Sequence, residues 1–233
     1  MMKKLQVTVG MMLIVAVGLT IAACSDDDNP VAGLQQTSSV MIVHASPDAP
    51  GVDIIVDDIK ALTDLAFPSN SGYVSLDAGT RNVKVNVTGS NTTVIEADLD
   101  LDADASYTVF AVNSVANIEP LVLVDDLTAP TAGKAHVRFV HLSPDAPAVD
   151  IAVTGGPVVF GDVTFGEVIG FTPLDAASYD LEVRVAGTST VVLSLPGIAL
   201  ESGKIYTVFA KGFVTDDPAV SGDELGAEII VNR

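Results

Sequence analysis

Val43-His44-Ala45-Ser46-Pro47-Asp48-Ala49-Pro50-Gly51-Val52-Asp53-Ile54 returns 97 residues later as Val140-His141-Leu142-Ser143-Pro144-Asp145-Ala146-Pro147-Ala148-Val149-Asp150-Ile151. A period of that length is the size of one small β domain rather than of a solenoid repeat. Other words recur at nearly the same offset. Leu76-Asp77-Ala78 returns as Leu174-Asp175-Ala176, and Tyr107-Thr108-Val109-Phe110-Ala111 as Tyr206-Thr207-Val208-Phe209-Ala210. The offset grows by single residues, as small loop insertions in a duplicated domain would leave it. Within each copy, Pro47 and Pro144 preset a turn, and Asp48 and Asp145 can cap it. Short valine-rich runs lie on either side.

Working outward, the clearest alternation is Val83-Lys84-Val85-Asn86-Val87 in the first copy and Leu181-Glu182-Val183-Arg184-Val185 in the second. Alternation of this kind marks strands with one buried face. Glycine and proline are frequent, β-branched residues dominate the apolar set and tryptophan is absent. About seven short strands per copy, spaced by about ten residues, predict an all-β protein of two tandem antiparallel β-sandwiches. The expected layout is a leader over 1–23, a tether over 24–38, sandwiches over 39–126 and 134–233, and a linker over 127–133. Asp57-Asp58 is read as ending a strand, with a loop running on through Phe67-Pro68. Phe160 to Phe171 is read as the matching loop.

The chain of 233 residues carries 30 acidic and 11 basic residues, a formal charge of −19. Two of the bases, Lys3 and Lys4, precede every acidic residue, so the remainder is more acidic still. Such a field disfavours nucleic acid and anionic headgroups as partners and favours solubility.

Met1-Met2-Lys3-Lys4, an apolar run from Val7 to Ala23, and then Cys24 read as an export signal. Ile21-Ala22-Ala23-Cys24 resembles the lipobox of bacterial lipoproteins, which implies acylation of Cys24 as the mature N-terminus. It is the sole cysteine, so no disulfide is expected. Ser25-Asp26-Asp27-Asp28 is similar to the acidic export tag of Bacteroidetes surface lipoproteins, and reads equally as a solvated tether. Ser25 also stands where enterobacterial inner-membrane lipoproteins carry aspartate. The expected location is the bacterial cell envelope, lipid-anchored at the outer membrane and facing either the periplasm or the cell surface.

Two constellations invite chemistry. Asp98, Asp100, Asp102 and Asp104 alternate with Leu99, Leu101 and Ala103, so a strand would put four carboxylates on one face, an oxygen cluster of the kind calcium binds. The glycine and glutamate of an EF-hand loop are missing at the required positions, and the second copy does not repeat the run. The reading set beside it is a solvated acidic edge that discourages strand pairing. The second constellation is the repeated corner: His44, Ser46, Asp48 and Asp53, with His141, Ser143, Asp145 and Asp150. A Ser-His-Asp triad within one tight turn is hard to assemble. The favoured reading is that each histidine bonds the turn carboxylate or backbone and pins the corner, the aspartates being the available oxygen ligands if a metal were held. No cofactor is called for.

Residues 137–151, with 174–184 and 203–210, resemble the domain-of-unknown-function 4397 family. The first copy departs from its pattern at Met41-Ile42, where Arg-Phe is usual, and at Ser106-Tyr107, where Gly-Lys should precede. The resemblance implies an envelope lipoprotein of immunoglobulin-like or transthyretin-like sandwiches and supplies no activity. Function is then expected to be non-catalytic binding or adhesion toward a protein or glycan, or a structural spacer or scaffold. Low aromatic content, 5%, weakens sugar stacking, with Tyr73, Phe171, Tyr179 and Phe213 as the available platforms.

Overall fold

Val40-Met41-Ile42-Val43 offers no polar residue to turn toward water, so a strand made of it must be covered on both faces. That demand sets the layering. The computed structural model describes residues 35–215 and 222–233; the predicted leader, Cys24 and most of the tether lie outside the described residues.

Sixteen strands follow: β1 Thr37–His44, β2 Val52–Val56, β3 Ile59–Leu65, β4 Asn70–Asp77, β5 Gly79–Val87, β6 Thr93–Leu101, β7 Ser106–Val112 and β8 Glu119–Val124; then β9 Lys134–His141, β10 Val149–Val153, β11 Val158–Val163, β12 Val168–Asp175, β13 Ser178–Val185, β14 Val191–Ala199, β15 Ile205–Lys211 and β16 Gly226–Val231. They build four sheets, in the orders β3-β2-β5-β6, β4-β1-β7-β8, β12-β9-β15-β16 and β11-β10-β13-β14. The all-β prediction of antiparallel-rich sandwiches holds. Each sheet containing β1 or β9 also holds one parallel pair, β1 with β7 and β9 with β15.

Three apolar cores result. Val40 and Ile42 of β1 enter the first, with Ile54, Val85 and Val109 from the facing sheet and β7. Val137 and Phe139 of β9 enter the second. Met41, Val43 and Phe110 turn the other way and meet Val140, Leu142 and Phe209 in a third core between the two sandwiches. Residues 35–233 therefore form one compact unit. Phe110 and its repeat equivalent Phe209 touch edge to face at 5.6 Å, as happens beside a local two-fold axis.

β3 stands where a loop is expected after Asp57-Asp58. Asp57 and Asp58 both adopt positive φ, 48° and 64°, and so form the tight hairpin turn that reverses the chain. Their repeat region is similar: β11 and β12 replace the expected loop over Phe160 to Phe171. β3 is a largely exposed edge strand with bulges at two places in its pairing with β2, which hides its alternation.

The third core holds a buried polar network. Arg138 pairs with Asp125 at 2.7 Å, both side chains almost wholly buried. Its guanidinium also donates to Thr108 and Thr207 and lies over the Phe171 ring. Tyr73 donates to Asp125 and receives a hydrogen bond from Asn232. Burial first, and then the Asp125 carboxylate, push the Tyr73 phenol up to about 12. Arg233 closes the seam by donating to the Leu127 carbonyl at 2.6 Å, tying down the linker.

Arg138→Met should cost about 3–5 kcal/mol in urea unfolding, because Asp125 is left charged and buried. Adding Asp125→Asn should return most of that loss. The neutral Tyr73 phenol supports stability fully below its unfolded pKa of 10.0, and the support is lost as pH climbs toward about 12. Tyr73→Phe should therefore remove the corresponding part of the alkaline loss of stability in a pH series.

Candidate functional site

The repeated corner sits where β1 and β9 end. Pro47 and Pro144 stop each strand, and the chain turns before β2 and β10. His44 is 1% exposed, and its Nε2 lies 3.0 Å from the Pro50 carbonyl. His141 is fully buried, with Nε2 3.1 Å from the Pro147 carbonyl. Each ring thus spans its own Ser-Pro-Asp turn and bonds backbone, not the turn carboxylate. Phe67 packs edge-on against His44. Burial holds both imidazoles below the usual histidine range, and the carbonyl bonds only partly oppose it.

The carboxylates point elsewhere. Asp48 accepts from the Val115 amide at 2.7 Å, and Asp145 accepts from the Val214 and Thr215 amides at 2.7 and 3.0 Å. They fasten the loops that follow β7 and β15 to the corner. Ser143 donates to the Gly212 carbonyl at 2.6 Å, whereas the buried Ser46 hydroxyl has no such bond. In each turn histidine and aspartate therefore serve separate backbone partners, in the second copy serine serves a third, and no triad geometry forms.

Asp53 and Asp150 lie on the next strand and act on bulges. Asp53 binds Lys60 at 2.6 Å and the Asp64 amide at 3.0 Å; Asp150 accepts from the Asp162 and Gly187 amides at 2.8 and 2.9 Å. Asp64 and Asp162 have positive φ, 55° and 56°, and the buried carboxylates stabilise those left-handed positions. Lys60 first, then the Asp64 amide, hold the Asp53 carboxyl below the usual carboxylate range.

The acidic run divides. Asp98 and Asp100 lie on the edge strand β6 and accept from Asn82 and Thr80 across the ladder. The strand ends at Leu101, so the expectation of four carboxylates on one strand face is corrected. Asp102 takes part in the turn through its backbone, and Asp104 sits there at φ 61°. Among the described residues no group of three or more His, Cys, Asp or Glu side chains is placed to hold a metal ion.

Of the aromatic platforms, Tyr73 and Phe171 belong to the network between the sandwiches. Tyr179 packs against the second core. The sequence carries one signal of this network: Arg138 occupies the position at which the first copy has Met41. An apolar cavity of about 170 Å³ opens beside His141, between Val149, Val183 and Leu193.

Residues 38–152 match the family model called Domain of unknown function (DUF4397). That span includes both His-Ser-Pro-Asp corners, and through it the chain resembles this family. No curated protein matches the sequence. Among solved structures, a carbohydrate-binding module of family CBM26 from Eubacterium rectale, crystallised with maltoheptaose, is 9% identical over 82% of this chain and 96% of that one. Its TM-score is 0.26, too low for the likeness to bear on fold or ligand.

Below pH 6.5 the unfolded chain takes up protons on His44 and His141 that the folded chain resists, so stability is complete above 6.5 and falls with decreasing pH. Urea midpoints at pH 7.5 and 5 should show this fall. His44→Gln and His141→Gln should each make it shallower.

Proposed function

We propose that this chain is a lipid-anchored cell-envelope protein that works as a non-catalytic binding or adhesion module. The observation that carries the reading is the commitment of both corners. His44, Asp48 and Asp53, with His141, Asp145 and Asp150, each bond backbone groups of their own copy, and Asp53 also bonds one lysine, which holds the loops of both copies in place. Residues of this type arranged for chemistry would converge on a common point in a cleft. Arranged as here, they make a rigid frame, and frames of this kind present loops and strand edges to partners. The lipobox-like Ile21-Ala22-Ala23-Cys24 supports attachment to a membrane through acyl chains.

One observation favours a second reading, a structural spacer or scaffold of the envelope. The third core and the Arg138–Asp125 pair make the two sandwiches a stiff body, as a spacer requires.

Protease shaving and antibody labelling of intact cells separate the two. Shaving and labelling before the outer membrane is opened are expected for an adhesion or surface-binding module. Protection until the membrane is opened would overturn that reading and leave the scaffold. Cys24→Ala should release the protein from the membrane fraction in either case.

A further inference from the structure

Among the described residues the four sheets have eight edge strands, and seven of them carry a feature that discourages another strand from joining. β3 and β11 are each bulged at two places. β4 and β12 are bulged opposite β1 and β9, and β12 contains Pro173 as well. β6 presents Glu96, Asp98 and Asp100, and β14 has Pro196 within a bulged ladder. β8 pairs without interruption but contains Pro120.

β16 is the exception. Gly226-Ala227-Glu228-Ile229-Ile230-Val231 pairs with β15 over six consecutive residues, with no bulge, no proline and a single charge. The Asn232 amide bonds the Ile205 carbonyl, so by the two-residue period the amides of Ala227, Ile229 and Val231 point away from β15, along the free edge. Pro120 of β8 stands opposite Ala111 as Ala227 stands opposite Ala210, and the Asp125 amide bonds Ser106 in the matching register. The proline thus deletes the very edge donor that Ala227 keeps. Ile229 and Val231 are 39% and 53% exposed, and Ala227 and Ile229 border an apolar opening with Leu195 and Ile198.

We propose that the β16 edge is a strand-addition site that takes an extended, cationic peptide segment with an apolar residue at every second position. The proposal rests on the reading of the chain as a binding module and names the surface and partner chemistry. The added backbone would satisfy the three outward amides, as strand addition does. Alternate apolar side chains would cover Ile229, Val231 and the opening behind them. The chain's formal charge of −19, and Glu228 within the strand, select basic residues in between and disfavour a second copy of this acidic chain.

The test uses the chain without its leader and two amidated peptides of equal length, one alternating lysine with valine and one alternating glutamate with valine. Amide hydrogen exchange by NMR is read at Ala227, Ile229 and Val231. The lysine peptide is expected to slow exchange at all three by about tenfold or more, and the glutamate peptide to leave them unchanged. Ala227→Pro copies the residue the first sandwich already carries, so the fold is expected to persist, with urea midpoint as the check, while protection is lost. Ile229→Lys should weaken binding without touching the outward amides, and keeps the test open should Ala227→Pro unfold. No protection with either peptide overturns the site, and equal protection with both overturns the cationic partner. Protection that appears without peptide and rises with protein concentration overturns the peptide in favour of a second copy. None of these outcomes alters the result of cell shaving, so the envelope-binding reading stands or falls separately.

Discussion

Arg138 must be placed in the middle of an apolar seam, and the rest of the molecule accommodates it. A guanidinium cannot be left unpaired away from water, so Asp125 is brought from the end of β8, and Thr108, Thr207 and Phe171 complete its surroundings. Those groups come from both sandwiches. The geometry can be met only if the two inner sheets sit in one register, and Phe110 against Phe209 then packs beside the polar cluster. The network adds little net stability compared with an apolar seam. What it contributes is a strong penalty on any other relative placement of the two sheets.

The outer sheets were the easiest to read. Val83 to Val87 and Leu181 to Val185 alternate because one face meets a core and the other meets water. β1 and β9 gave a weaker signal for a physical reason: they are covered on both faces, so alternation vanishes and a run such as Val40 to Val43 states only that it is buried. The parallel pairing of β1 with β7 depends on contacts between residues far apart in the chain, which no local pattern records. β3 is hidden because bulges break the alternation of an exposed edge strand, and the Asp57-Asp58 turn looks like an ordinary strand end.

At the site, the residues of the corner were legible as a group and their partners were not. Spacing shows that His44 and Asp48 share a turn. It does not show that the ring reaches the Pro50 carbonyl while the carboxylate reaches across to the Val115 amide, because the second partner lies 67 residues away. The acidic run shows the same limit. Its alternation is real, but a strand ending at Leu101 splits four similar carboxylates into two environments.

The contact of Phe110 with its own counterpart has a consequence for how such an interface can change. In an assembly of two identical chains, every substitution is made twice, once on each side of the axis, so a cation introduced in the seam faces a second cation. Here both sides belong to one chain and are encoded separately. Methionine at 41 and arginine at 138, or aspartate at 125 and asparagine at 232, can therefore stand across a symmetric seam without being mirrored. The short connection through residues 127–133 also makes their encounter independent of protein concentration. An ion pair used once, at the centre of an arrangement that is otherwise two-fold, is a solution open to a single chain and closed to a homodimer.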